Sequence, residues 1–258
     1  MRRLLAVLTC STVLVLLAGP AGAIMYGEVD TDGQYPFVGM LAFYDGEGAY
    51  SHRCSGTLVS PTVVLTAAHC TDGTASAYGY FDLEVPADFR TNPTGILGDP
   101  DTHPAYNPNT LANDIGVVVL EDAVNLGEYP VLADEGFLSE LKRSHELKGA
   151  TFVAAGYGGH ESWPPPVLVF DLLRRFSESP YASLNRNNLH LLQNPNATGT
   201  GGTCFGDSGG PHFWEDTLVI VSVTSWGDAI CRANDMTQRT DLASVLDFLE
   251  DYGITPTA

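Results

Sequence analysis

Three polar side chains stand in settings that favour chemistry over solvation. His69 closes the apolar run VVLTAAHC, Asp114 opens the run NDIGVVVL, and Ser208 lies among small residues in GGTCFGDSGGP. A serine hydroxyl is a poor nucleophile at neutral pH and needs a base within hydrogen-bond reach. An imidazole serves, because its pKa lies near neutrality, provided that an acceptor fixes its tautomer. A buried carboxylate fills that third place and stabilises the imidazolium formed as the serine attacks. The glycines complete the set. Acyl transfer develops an oxyanion, and each preorganised backbone N–H aimed at it is worth about 3–4 kcal/mol of barrier. Gly206 turns its N–H inward without a side chain in the way, and the N–H of Ser208 supplies the second donor. Gly209 and Gly210 permit close approach of a strand or substrate.

Any one of the three alone reads as structural: a satisfied core histidine, a strand-start cap, a turn serine. Together with Gly206 they specify nucleophilic acyl transfer. The other histidines, His52, His103, His145, His160, His190 and His212, are read as structural. GDSGG also fits the Gly-x-Ser-x-Gly elbow of α/β-hydrolases, but that fold needs the order serine, acid, histidine after a strand and before a helix. Here the order is His, Asp, Ser, and the only later histidine is His212.

The elements that must position these residues are β-strands. FVGMLAFY, TLVSPTVVLTAA, IGVVVL, ATFVAAGYG and TLVIVSVTSWG are short β-branched or aromatic runs separated by Gly, Pro, Asn and Asp. Many short strands of this kind predict a barrel or sandwich. One helix is predicted in TDLASVLDFLEDYG, where Leu242, Val245, Leu246 and Leu249 recur at helical spacing, with Thr240 or Asp241 as cap and Gly253 after its end. SWPPPV and NPNATGTGGT read as surface loops, and Asn196-Ala197-Thr198 matches a glycosylation sequon.

Residues 1–23 pair two arginines with an apolar run and end Ala-Gly-Ala, the pattern of a cleaved secretory signal. Its removal takes the formal charge from -19 to -21, with 31 acidic residues remaining. So acidic a chain does not suit nucleic acid. The excess is uneven: residues 24–129 hold 2 basic and 15 acidic residues, and 130–258 hold 8 and 16. Beyond the signal remain Cys54, Cys70, Cys204 and Cys231. An even count in an exported chain suggests disulfides; three pairings are possible, and local spacing favours Cys54–Cys70 and Cys204–Cys231. No Cys-x-x-Cys or His-Glu-x-x-His spacing supports zinc, and TDGTASAYGYFDLEV lacks a calcium-ligand pattern.

These motifs, in this order, resemble the trypsin/chymotrypsin-type serine peptidases. CSGTLVSPTVVLTAAHC, HPAYNPNTLANDIGVVVL, CFGDSGGP and SWGDAIC carry the resemblance, and IMYGEVDTDGQYPFVGML is similar to the family's mature N-terminus. The resemblance implies an all-β fold of two six-stranded antiparallel barrels with a C-terminal helix: 24–129, 130–240 and 241–252. It implies catalysis by His69, Asp114 and Ser208 in the crevice between the barrels, with Gly206 and Ser208 as oxyanion donors. Ser225 would accept from behind the triad, and Ser225, Trp226 and Gly227 would pair with the substrate backbone. Cys54–Cys70 would pin the histidine loop and Cys204–Cys231 would frame the specificity pocket.

Two further expectations follow from the same matching. A free α-amino group at Ile24, made directly by signal cleavage, would pair with Asp207 and order the oxyanion loop. Gly202, six residues before Ser208, would form a neutral pocket floor beside Thr203, giving an apolar preference before the scissile bond unless Asp228 or Asp235 reaches the pocket. The implied partners are polypeptide substrates and protein inhibitors of peptidases, for a monomer with no cofactor, no metal and no membrane contact after signal cleavage. Two other readings share the fold: a catalytically silent binding protein and a serine esterase.

Overall fold

The computed structural model describes residues 24–162 and 167–257. The expected signal peptide and residues 163–166 of the SWPPPV segment lie outside the described residues. A short strand β1 (Glu28–Val29) precedes β2 (Val38–Tyr44), β3 (Tyr50–Leu58), β4 (Val63–Thr66), β5 (Ser76–Tyr80), β6 (Ile96–Thr102) and β7 (Gly116–Leu120). Strands β2 to β7 close into an antiparallel barrel in the order β2-β3-β4-β7-β6-β5. The helical turn α1 (Ala68–Thr71) follows β4 directly. Next come β8 (Val131–Leu132), α2 (Phe137–Arg143) and β9 (Thr151–Gly156). The hairpin β10 (His160–Ser162) and β11 (Val167–Val169) then precedes β12 (Arg175–Leu184) and β13 (Asn188–Leu192). After α3 (Pro195–Thr198) the chain forms β14 (Pro211–Trp214), β15 (Val219–Gly227), β16 (Asn234–Arg239) and α4 (Ala243–Glu250). Strands β9, β12, β13, β16, β15 and β14 close a second six-stranded barrel, because β9 pairs with both β12 and β14.

Strand β2 shows why an uninterrupted apolar run appears in an antiparallel sheet. All of its residues are buried. Leu41 and Phe43 face the main core, while Met40, Ala42 and Tyr44 face a second cluster with Tyr80, Phe89 and Tyr157. Both faces are covered, so the alternation expected of a half-buried strand disappears. The main core runs across the seam: Phe37 of the first barrel meets Phe213 of the second edge-on, with centroids 5.8 Å apart.

The C-terminal helix forms where predicted, burying Val245, Phe248 and Leu249, and Gly253 follows it with φ +74°. Its start differs from expectation. Leu242 is the N-cap residue and no side chain caps it. The Asp241 carboxylate instead pairs with Arg239 at 2.7 Å and accepts from Leu138 N–H at 2.9 Å, and Thr240 Oγ1 donates to the Ile220 carbonyl. A bidentate guanidinium outcompetes a neutral backbone donor. NPNATGTGGT also departs from a plain loop: Pro195–Thr198 makes a helical turn capped by Asn194.

A buried ion pair fastens the N-terminal segment to both barrels. Arg174 Nε donates to Asp30 Oδ2 at 2.7 Å, and its Nη1 donates to the Phe81 carbonyl and the Tyr157 hydroxyl. Asp30 also accepts from the N–H groups of Gln34 and Tyr35. Removing one partner strands a buried charge. Asp30→Ala is expected to cost about 3–5 kcal/mol, seen as a lower urea midpoint at unchanged slope.

Candidate active site

Local folding brings His69 and Asp114 together. Strand β4 ends at Thr66 and α1 begins two residues later, so His69 sits in a tight turn at the mouth of the first barrel. Asp114 precedes β7, which pairs with β4 along its length. Asp114 is fully buried. Its Oδ1 accepts from His69 N–H at 2.8 Å, and its Oδ2 accepts from His69 Nδ1 at 2.8 Å and from Ser225 Oγ at 2.5 Å, so Ser225 is a donor to the carboxylate and not the acceptor expected from the sequence. The Asp114 N–H donates to Gln238 Oε1. With Nδ1–H committed to the carboxylate, the imidazole presents Nε2 as an acceptor. The His69 side chain keeps 26% of its surface exposed, so that nitrogen can meet a substrate.

Ser225 carries this chain into the second barrel. Ser208, Thr203, Ser225, Trp226 and Gly227 line one cavity of about 220 Å³, together with Gln193 and Asp228. Its walls are framed by the Cys204–Cys231 disulfide, with Cα atoms 5.2 Å apart. The other bridge, Cys54–Cys70, joins β3 to the residue after His69. The two sulfurs nearest His69 are thus bonded to each other and offer no thiolate to a metal.

The loop bearing Ser208 is fixed from the first barrel by Ser55, a residue that no motif singles out. Ser55 N–H donates to the Ser208 carbonyl at 2.9 Å, and its hydroxyl donates to the Gly206 carbonyl at 2.9 Å while accepting from Tyr157 N–H at 3.0 Å. The Ser55 carbonyl accepts from Thr66 Oγ1. Gly206 takes φ +99°, a conformation that leaves its N–H to be aimed by this anchoring. Gly209 meets β4 so closely that a Cβ there would collide with Thr66 Oγ1 and Ala67 N, so the approach it permits is that of a strand.

The pocket floor differs from the sequence expectation. Gly202 is buried but does not line the cavity; Gln193 does, and a Cβ on Gly202 would strike the Gln193 side chain. Gln193 is 1% exposed and donates from Nε2 to the Asn234 carbonyl. The sequence hides this residue because β13 delivers it from outside every motif. Neither acidic residue near the pocket is free. Burial is the largest single influence on Asp228 and raises its carboxyl, but hydrogen bonds from the N–H groups of Arg232, Ala233 and Asn234 together outweigh it and hold the carboxyl below the ordinary range. Asp235 is fully buried and paired with His212 at 2.9 Å.

The family model described as Trypsin matches residues 24–249. The chain belongs to the trypsin family. Its function is accordingly that of a trypsin-like serine protease. It is 31% identical over 245 residues to "Serine protease 1" of Drosophila melanogaster, covering 89% of this chain and 85% of that one. It is 30% identical to "Trypsin, alkaline B" of Manduca sexta, covering 88% and 90%. Among solved structures it is similar to HL collagenase, with TM-score 0.69 at 18% identity over 90% of this chain and all of that one. Human heparin binding protein is similar in fold, with TM-score 0.63 at 20% identity over 91% and 98% of the two chains.

Within this trypsin-family domain Asp207 is the least comfortable charge. It is fully buried, and Gly156 and Gly158 press so closely on its carboxylate that a Cβ at either would collide with it. Burial pushes its carboxyl up to about 7, although hydrogen bonds from Cys204 and Gly158 N–H and the positive charge of Arg53 pull it down. Ile24 is buried, and the carbonyl of Met25 accepts from Gly202 N–H, so the N-terminal segment runs alongside the strip leading to Cys204. While Ile24 remains joined to residue 23, the folded state holds a proton on Asp207 that the unfolded chain releases near pH 4. Between about pH 4 and 7 the native state therefore binds more protons, and this group's contribution to stability falls as pH rises. Asp207→Asn in the unprocessed chain is expected to remove that slope. Urea unfolding at steps from pH 4.5 to 7.5 should show the variant gaining on the parent as pH rises; parallel curves would contradict it.

Proposed function

We propose that the chain is a secreted serine endopeptidase acting through His69, Asp114 and Ser208 by way of an acyl-enzyme. The observation that carries this reading is the hydrogen-bonded run Ser225–Asp114–His69, which reaches from the wall of the Ser208 cavity to an imidazole that keeps 26% of its surface exposed. Ser208 Oγ attacks the scissile carbonyl carbon while His69 Nε2 takes its proton. The N–H groups of Gly206 and Ser208 receive the oxyanion. His69 then returns the proton to the departing amine, leaving an acyl-Ser208 ester, and a water activated by the same nitrogen hydrolyses it. Trp226 and Gly227, exposed at the end of β15, offer an edge to the substrate backbone. The α-ammonium freed at Ile24 pairs with Asp207 and supplies the charge that this buried carboxylate lacks.

Preference before the scissile bond is for a medium or large apolar side chain. The support is a floor closed by an uncharged Gln193, walls that include Cys204, Cys231 and Trp226, and carboxylates at Asp228 and Asp235 that already have partners. Among the described residues no helix is long and apolar enough to cross a membrane. Secretion rests on the leader pattern of residues 1–23.

Two measurements test the reading. A fluorophosphonate is expected to add once to the exported protein and not to Ser208→Ala, by intact mass, with the untreated mass starting at Ile24 and containing two disulfides. Absence of the adduct on a chain starting at Ile24 would favour the silent binding protein. In a peptide-library digest, apolar residues are expected before the cleaved bond; a profile dominated by Arg and Lys would overturn the pocket assignment.

A further inference from the structure

Arg53 is an unusual cation for this molecule. It lies on β3 next to Cys54, in a stretch of sequence with few basic residues and many acidic ones. The buried arginines are spoken for, Arg174 by Asp30, Arg175 by Asp171 and Arg239 by Asp241, whereas Arg53 is partly buried. Among the described residues no carboxylate comes within ion-pair distance of Arg53 and no hydrogen bond engages it; its Nη1 is buried without a partner. What holds it is the Phe170 ring, 4.8 Å from the guanidinium carbon. That cation–π contact restrains the group and leaves its N–H donors unused.

The place it occupies has a meaning for a substrate. A Cβ built on Gly206 would lie 3.5 Å from both Nε and Nη2 of Arg53, so the guanidinium borders the loop proposed to receive the oxyanion. The cavity lined by Ser225, Trp226 and Gly227 lies on the second barrel and does not include Arg53. Arg53 stands across the seam from that cavity, on β3 beside the Cys54–Cys70 bridge, so a peptide held in the cavity before its scissile bond and continuing past Ser208 onto the first barrel would meet it.

We propose that Arg53 is a specificity-determining residue that binds a carboxylate in the substrate segment following the scissile bond. The inference rests on the serine endopeptidase reading above. The carboxylate can be an Asp or Glu side chain or the α-carboxylate of a short product-side segment, and both present the same pair of oxygens to a guanidinium fork. The alternative use of Arg53, as a distant counter-charge for Asp207, makes no such demand on substrate.

The experiment uses quenched peptides sharing one apolar residue before the cleaved bond and carrying Glu or Gln at the first or second position after it. Each is made as free acid and as amide. The quantity read is the ratio of kcat/KM for the acidic peptide over its neutral twin. A ratio of roughly ten or more is expected for the protein, the worth of one hydrogen bond between charged groups, falling as salt is raised. In Arg53→Met the ratio is expected to fall to about one, and Arg53→Lys should retain part of it. A Glu preference independent of the terminus assigns the side chain, and an acid-over-amide preference assigns the α-carboxylate. A ratio near one in the unaltered protein, or one that Arg53→Met leaves in place, overturns the inference while the peptidase reading stands. A chain that neither reacts with fluorophosphonate nor cuts any peptide overturns both. If Arg53→Met fails to fold, Arg53→Gln, which keeps a planar polar group without the charge, carries the same test and is expected to bring the ratio to about one.

Discussion

Everything at this site depends on how the two barrels are registered at their seam, and Ser55 sets that register. A strand of the first barrel lends its N–H to the Ser208 carbonyl and its side-chain hydroxyl to the Gly206 carbonyl, while accepting from Tyr157 of the second. These bonds are buried and therefore costly to leave unmade. A serine carried on a loop is only as well placed as the loop, and this loop is held by a barrel to which it does not belong. Asp114 crosses the same seam in the other direction, through Ser225. The crevice is thus a region stitched from both sides rather than a gap between rigid bodies.

An acid-rich chain has to dispose of its buried carboxylates, and this one does so in several ways. Asp30 and Asp241 each take a guanidinium. Asp235 takes an imidazole. Asp114 takes two donors from His69 and one from a serine hydroxyl. Asp207 has only backbone N–H groups and a distant cation, and its carboxyl responds by holding its proton up to about 7. The burial penalty falls on all of them. The difference lies in the partners: those with a charged or hydroxyl donor stand apart from Asp207, which has none in contact.

Much of this was legible in the sequence because it rests on local patterns. The short β-branched runs, the order His69, Asp114, Ser208, and the closely spaced cysteines each have a signature that survives without knowledge of what lies opposite. The all-β class and both disulfides follow from them, while the two barrels were what the family resemblance implied. What the sequence hid was set by tertiary partners. Ser55 is one small residue in CSGTL until the second barrel supplies Gly206 and Tyr157. Asp241 is a good helix cap until Arg239 arrives two residues away. Arg53 is one basic residue in an acidic half until Phe170 and Gly206 come up beside it. Gln193 lies outside every motif until β13 swings it beneath Gly202.

That last contact has an evolutionary reading. Gly202 and Gln193 share one small volume at the base of the pocket, so neither can enlarge while the other stays. A change of floor chemistry at position 202 therefore requires a shortened side chain at 193 first, and a shortened 193 alone opens a void with an unpaired carbonyl at Asn234. Descendants of this chain would drift easily at the rim of the pocket, where Phe205 and Trp226 are exposed, and remain confined by a two-residue ratchet at its base.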